Sequence, residues 1–477
     1  MAYGSGLVKV VLDMKKFKSL TCIILASVVC LMSGCSVPSY DDFQPPPSKP
    51  SELKPVENGD YFIERDYTNI QPTVEKTVKT YTSSDGLCTI EKKTSYYEVT
   101  LNYENGTPAQ IGSAYAEAIL EICPDYPVTI DGYIFELFGT LTDEYNTDII
   151  EYGMTTLKNS LDQKYQEELD AYAEKMSDGL HGIKSDGRIS YEEAVIISMV
   201  PDLLRTTACS AITANGNKTE SGKRISARLV EWFPGENRQL TGFHSVVHFK
   251  NGQNSITSVG LLGMFDVLTA INSSGVMVGI LDVGSKYNEP FTVEDKICYS
   301  YDIRTAAESF TTARQAAKYI YGNVPKYTYN ANFFITDSTD AFCVEAAITD
   351  NDGTPTIRDT NSQLLDGLIW NDPDILCVVN SFVTSGNADR ITNEPVNIVR
   401  WLKYNRLFSN PKTKFSNERF RELLTSEKIV NSSLINFRSY SLTHMVVLDY
   451  ETKKAQAVFA GAELTDDPEW IDLGTMF

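Results

Sequence analysis

Apolar and polar positions alternate in short runs from about residue 58 to 103, where "YFIERDY", "TVEKTVKTYT", "CTIEKKT" and "YYEVTLNY" are separated by turn residues. A two-residue repeat of this kind predicts strands that bury one face. The period then changes. Leu157, Leu161, Tyr165, Leu169, Tyr172 and Met176 step by 4, 4, 4, 3 and 4, which puts them on one face of an amphipathic helix. Ser190 and Glu193 form a capping box ahead of "AVIISMV", and Pro201 limits the far end of this second helix. The chain next reaches "RTTACSAITANG", residues 205–216, and strand-like runs dominate: "SAITANG", "RISARLVEWF", "HSVVHFK", "SITSVGLLG", "DVLTAIN" and "GVMVGILDVG". A helical stretch, "TAAESFTTARQAAKYIYG", interrupts them before "NFFITDST", "AFCVEAAIT" and "DILCVVNSF". "NIVRWLKYNRLF" reads as a helix and "LTHMVVLDYETKKAQAVFAG" as a closing hairpin. Many antiparallel strands with helices grouped between them predict an α+β layered sandwich. No repeat of fixed period is visible.

The first 35 residues follow a different logic. "MKKFKSLTCIILASVVCLMSGC" begins at Met14 with lysines, runs apolar from Leu20 to Met32, and ends in Ser33-Gly34-Cys35. That order of charge, apolar run and small residues is a secretory signal. Its cysteine ending resembles a bacterial lipoprotein signal, which implies lipidation of Cys35 and an extracytoplasmic, membrane-anchored chain. The apolar run is short for a spanning helix. Residues 1–13 read as an upstream start. Residues 36–57, beginning "SVPSYDDFQPPPSKPSELKP", are rich in Pro and Ser and read as an extended tether.

With 477 residues, 42% of them apolar and 22% charged, the chain can bury a sizeable core. Its net charge is −21, and removing residues 1–35, with four lysines and one aspartate, takes it to −24. So acidic a surface repels a phosphate backbone, which argues against nucleic acid as a partner. Beyond Cys35 stand Cys88, Cys123, Cys209, Cys298, Cys343 and Cys377, widely spaced and without C-x-x-C. Neither a zinc site nor a disulfide scaffold is signalled. Cys343 and Cys377, inside apolar strands, read as buried thiols. "GIKSDGRISYEE" has the Gly187, Ile189 and Glu193 of a calcium loop, but Gly182 and Lys184 occupy its first and third ligand positions, so it reads as loop and cap.

Cys209 lies among small uncharged residues at the head of a strand-like run. Buried thiol, disulfide half and nucleophile are all open readings. A nucleophile needs a base, because a free thiol titrates near about 8.5. His181, His244, His248 and His444 are the only histidines, and none sits in a local signature of a cysteine hydrolase. His244 and His248 share a strand face, so a Cys-His hydrolase assembled by the fold stays open. The other source of base is the cysteine's own α-amine, which titrates near about 7.7 to 8.0 once the bond before it is cut. A small preceding residue, Ala208, and a cysteine that starts a strand suit that design.

"CSAITANGNKTESGKRISARLVEWF" resembles the start of the mature subunit in the acyl-coenzyme A:6-aminopenicillanate acyltransferase family of cysteine N-terminal nucleophile hydrolases, relatives of bile-salt hydrolases and acid ceramidase. "LNYENGTPAQIGSAYAEAI", "SYEEAVIISMVPDLL", "VGLLGMFDVLTAINSSGVMVGI", "ANFFITDSTDAFCVEAA" and "DILCVVNSF" are similar to further family segments in the same order, over roughly residues 96–460. The resemblance implies a four-layer αββα sandwich, with a pro-region at 58–208 and a nucleophile-bearing domain at 209–477. It implies self-cleavage between Ala208 and Cys209, and then an amidase that needs no metal or organic cofactor and takes a small-molecule amide.

The same resemblance makes Cys209 nucleophile and, through its freed amine, base. Arg228 matches an arginine beside the nucleophile, and Glu231 stands where the family has an aspartate that orients the amine or thiol. Asn380 matches an oxyanion-hole donor, and Asp282 lies near a position whose backbone amide completes the hole. Arg400, with Arg406 as competitor, takes the place of a distal arginine. Glu for Asp at 231, and a 209–228 hairpin about three residues longer than in the bile-salt relatives, depart from the family pattern. The alternatives from other classes are a lipoprotein that keeps the fold as a binding or scaffold module, and the Cys-His hydrolase without self-cleavage.

Overall fold

A computed structural model describes residues 71–138, 144–204, 209–284, 293–348, 353–368, 370, 372–387, 395–425, 442–461 and 469–477. The signal segment with Cys35, the tether, "YFIERDY" and Ala208 lie outside the described residues. The alternating region folds as β1 (Lys79–Thr82), β2 (Cys88–Lys92) and β3 (Tyr97–Asn102). Helices α1 (Pro108–Ile122), α2 (Tyr126–Phe138), α3 (Glu144–Ser160), α4 (Gln163–Ser177), α5 (Tyr191–Ile197) and α6 (Val200–Leu203) follow.

The apolar face expected over 157–176 is buried at all six positions. It is carried by two helices rather than one. Asp162 turns extended (φ −55°, ψ 144°) between α3 and α4, and the Ser160 hydroxyl donates to the Leu157 carbonyl at 2.7 Å, closing the end of α3. Short polar side chains that satisfy nearby backbone groups stop a helix in this way. The Ser190–Glu193 capping box is present at the start of α5. Pro201 opens α6 instead of ending α5, since a proline lacks only an N–H that the first turn leaves unpaired anyway.

After Cys209 come β4 (Ser210–Ala214), β5 (Ile225–Glu231), β6 (His244–Lys250), β7 (Ile256–Leu261), β8 (Thr269–Asn272) and β9 (Met277–Asp282). The helical stretch expected around 305–322 is again two helices, α7 (Tyr299–Ser309) and α8 (Ala313–Asn323), because Thr312 caps a new start by accepting from the Gln315 N–H. The rest is β10 (Ala331–Thr336), β11 (Ala341–Ala346), β12 (Thr356–Arg358), β13 (Ile375–Val378), α9 (Pro395–Phe408), α10 (Asn417–Thr425), β14 (Leu442–Asp449), β15 (Lys454–Phe459) and β16 (Ile471–Thr475).

The strands form two sheets. One runs β1-β2-β3-β6-β7-β8-β9-β10-β11-β12, antiparallel except where β3 pairs with β6; the other runs β13-β4-β5-β14-β15-β16 and is antiparallel. Val246, Val259, Ile271 and Met277 of the first sheet meet Val446, Leu448, Ala455 and Ala457 of the second in a shared apolar layer. The outer face of the ten-stranded sheet packs on α1, α7 and α8, with α4 stacked on α1. The outer face of the six-stranded sheet packs on α9 and α10 through Trp401, Tyr404, Phe408 and Phe420. Helix, sheet, sheet, helix is the four-layer αββα sandwich of the α+β class, and strand alternation decides which side chains enter its middle.

Candidate active site

Cys209 is fully buried and immediately precedes β4, next to β5 in the six-stranded sheet. The register pairs Ala211 with Arg228. Arg228 and Val446 are also paired, and Val446 belongs to the layer between the sheets. Cys209 shares the parity of Ala211, so alternation turns its side chain toward that middle layer.

The backbone of Cys209 is held on both sides. Its N–H donates to Asn380 Oδ1 at 2.5 Å, and its carbonyl accepts from Arg400 Nη1 at 2.8 Å. Arg400 Nη1 also reaches Asn380 Oδ1 at 2.9 Å, and its Nη2 pairs with Glu231 Oε2 at 2.7 Å. Asn380 Nδ2 donates to the Asp282 carbonyl at 2.7 Å. A primary amide carries two N–H groups, so the second can face a substrate oxygen.

Five of the six expected residues therefore meet in one connected set: Cys209, Asn380, Asp282, Arg400 and Glu231. Two differ in detail from the expectation. Asp282 touches Asn380 through its carbonyl, because β9 ends there with its C=O turned toward the loop after β13. Glu231 is bonded to Arg400 and reaches Cys209 through it, as its longer side chain points from the end of β5 toward α9. Of the competing arginines, Arg400 is buried at the site and Arg406, farther along α9, is exposed.

Arg228 is fully buried on β5, and its guanidinium donates to the carbonyls of Leu229 and Ile280, tying the two sheets together. It is close enough to Glu231 to stabilise the carboxylate. Burial pushes the Glu231 carboxyl up to about 7, against the opposing pull of Arg400 and Arg228. Gly279 makes room for Arg228, since a Cβ there would stand 2.8 Å from its Cδ and Nε.

Neither histidine candidate is hydrogen-bonded to Cys209. His244 Nε2 meets the Ala460 carbonyl at 2.8 Å, and burial pushes its pKa down to about 4. His248 contacts Thr257 and Glu98. The Cys-His alternative therefore has no direct histidine contact to Cys209 among the described residues. The described cysteines, Cys343 and Cys377 among them, are all buried free thiols.

Several residues that hold the site are not legible in the sequence pattern. Asn332 on β10 donates to the carbonyls of Val379 and Ser381, 2.9 Å each, and so clamps both neighbours of Asn380. Asn397 on α9 donates to the Asn380 carbonyl at 3.1 Å and to Ser381 Oγ at 2.8 Å. Glu345 on β11 accepts from the N–H groups of Val383 and Thr384, from Asn387 Nδ2 and from Arg358 Nε. The signal that could find such residues is a charged or amide residue inside an apolar strand, Glu345 in "AFCVEAA" and Asn332 in "ANFFIT", because such a group must find partners when buried.

No protein-family model matches this chain, and no curated protein matches it in sequence. Solved structures similar to it include an N-acylethanolamine-hydrolyzing acid amidase ortholog from Caenorhabditis elegans, at 14% identity and a TM-score of 0.36 over 50% of this chain and 92% of that one. A mutant conjugated bile acid hydrolase from Clostridium perfringens is similar at 12% identity and a TM-score of 0.35, over 56% and 92% of the two chains. A penicillin V acylase from Agrobacterium tumefaciens is similar at 16% identity and a TM-score of 0.33, over 56% and 86%.

Proposed function

We propose that this chain is an amide hydrolase whose nucleophile is Cys209, made N-terminal by self-cleavage after Ala208. The observation that carries the reading is the bond between the Cys209 nitrogen and Asn380 Oδ1. The atom that becomes the α-amine is held in place before any bond is cut, and the same side chain keeps an N–H for a developing oxyanion.

In self-cleavage the Cys209 thiol adds to the Ala208 carbonyl carbon, the C–N bond breaks, and the thiol proton passes to the departing nitrogen. Water then hydrolyses the thioester, leaving a carboxylate on Ala208 and restoring the thiol. In turnover the α-amine takes the thiol proton and the thiolate attacks the substrate amide. Asn380 Nδ2 and backbone N–H groups stabilise the oxyanion. The leaving amine takes the proton back, and water releases the acid. Arg400, neutralised by Glu231, fixes the Cys209 carbonyl throughout. The substrate belongs to the small-molecule amides: an N-acyl amino acid, a peptide, a bile-salt-like conjugate or a lactam. Residues 14–35 support export and a membrane tether through lipidated Cys35 as part of the same proposal.

Intact-mass measurement and N-terminal sequencing of the chain lacking residues 1–35, beside Cys209→Ala, test this. Two fragments, one starting Cys-Ser-Ala-Ile-Thr and absent from the variant, are expected. A single uncut chain in both would sink self-activation.

A further inference from the structure

Helix α6, which precedes Cys209 in the chain, is tied to Asn380 by a buried tyrosine on another element. Tyr299, first residue of α7, is fully buried, and its single O–H is shared between two acceptors, the Pro201 carbonyl at 2.5 Å and Asp282 Oδ1 at 3.1 Å. Its backbone N–H donates to Asp202 Oδ1 at 2.6 Å, and the Ser300 hydroxyl to Asp202 Oδ2 at 2.5 Å. Asp202 thus caps α7 from across the sequence, satisfying N–H groups that a helix start leaves unpaired. Asp282 in turn offers its carbonyl to Asn380 Nδ2. The connection runs from α6, which ends six residues before Cys209, through Tyr299 and Asp282 to Asn380 and back to the Cys209 nitrogen.

We infer that Tyr299 is a positioning residue, which sets Asn380 through Asp282 while anchoring α6, the last described helix before Cys209. The inference rests on the reading of Cys209 as nucleophile. The energetic case is that one O–H bridges two buried acceptors from different segments, so removing it takes away their shared donor and lets them move independently. A small displacement of an oxyanion donor is costly to rate and not to binding.

Tyr299→Phe is the test, with Tyr327→Phe as comparison. Tyr327 stacks edge-on against Tyr299 at 6.3 Å, and its own hydroxyl bonds Asp302 at 2.5 Å, so that variant also loses one buried hydroxyl without touching the connection. Tyr299→Phe is expected to lower kcat for a cleaved amide about tenfold with KM within about twofold, and to slow self-cleavage similarly. Tyr327→Phe should lower thermal stability but leave kcat. Asp282→Asn, which keeps an oxygen acceptor, should retain most of kcat, and Asp282→Ala should match Tyr299→Phe.

A readout independent of turnover is the rate at which iodoacetamide alkylates Cys209, followed by peptide mass spectrometry. Tyr299→Phe should change it by about threefold or more relative to wild type, with Tyr327→Phe unchanged. Equal effects of the two tyrosine variants on kcat and alkylation would overturn the inference. A wild-type chain that neither cuts itself nor hydrolyses amides would defeat the proposed function alone, and the alkylation comparison would still decide the role of Tyr299.

Discussion

Arg400 Nη1 donates to the carbonyl of Cys209 at 2.8 Å, across 191 positions of sequence, while the other arm of the same guanidinium pairs with Glu231 at 2.7 Å. One planar fork therefore links the end of β5, the head of β4 and the loop carrying Asn380. Arginine suits this because its donors are fixed in direction and it keeps its charge when buried. The residue after it, Trp401, is packed in the outer core of the six-stranded sheet, so the position of the fork is set by α9 as a whole.

Replacing Arg400 separates charge from geometry. Arg400→Ala leaves the buried Glu231 carboxylate without its ion-pair partner, which costs about 3 to 5 kcal/mol when a buried pair is broken from one side. A large drop in the urea midpoint and loss of self-cleavage are expected. Arg400→Lys keeps the charge but offers a point donor, so it should recover most of the stability and little of the cleavage rate. Equal cleavage by the lysine variant and wild type would show that the fork geometry is unimportant.

Glu231 gives the site a pH dependence with a definite sign. Its carboxyl is raised from 4.5 to about 7, chiefly by burial. The folded state therefore binds the proton more tightly than the unfolded one. The associated stability is fully present below the unfolded value and is lost as pH rises through about 7. Asp202, raised from 3.8 to about 7 by burial, adds a contribution of the same sign. Urea titrations of wild type and Glu231→Gln at intervals from pH 4.5 to 7.5 should show wild-type stability declining over that window relative to the glutamine variant. A constant difference between the two would mean that Glu231 titrates normally.

The sequence exposes the layers better than the joints. Period-two strands, the buried face from Leu157 to Met176 and the Ser190–Glu193 cap are local patterns, and local patterns survive tertiary packing. The breaks at Asp162 and Thr312 come from short polar side chains that close or cap a helix locally, which a repeat of apolar positions does not record. The site behaves in the same way. Resemblance singles out Cys209, Asn380 and Arg400, but their mutual contacts are not legible because they arise from β4, a loop and α9. Asn332, Asn397 and Tyr299 act through hydrogen bonds to main-chain groups far away in sequence, and nothing in their own neighbourhoods announces those partners.

Gly279 tests whether Arg228 needs its present seat. A methyl group at 279 would stand 2.8 Å from both Cδ and Nε of Arg228, closer than carbon or nitrogen atoms tolerate, so the guanidinium would have to leave the carbonyls of Leu229 and Ile280. Overpacking of this kind costs about 1 to 3 kcal/mol. Gly279→Ala should lower stability by that amount and reduce cleavage, because β5 and β9 carry Glu231 and Asp282. Unchanged urea midpoint and cleavage would show that Arg228 has room to shift.

A pair of helical glycines separates intrinsic preference from packing. Gly112 lies in α1 where it crosses α4, and a Cβ there would collide with the Glu168 backbone carbonyl. Gly132 lies in α2, and a Cβ added there would meet open space. Alanine is favoured over glycine by about 1 kcal/mol in a helix, so Gly132→Ala should raise the melting temperature by a few degrees. At Gly112 the same gain is opposed by a clash with rigid backbone, worth about 1 to 3 kcal/mol or more. The disturbance would reach Glu168, whose buried pair with Arg304 closes at 2.5 Å. Gly112→Ala should therefore lower the melting temperature. If calorimetry found both variants stabilised, α1 and α4 would have to be packed less closely than their glycine contact requires.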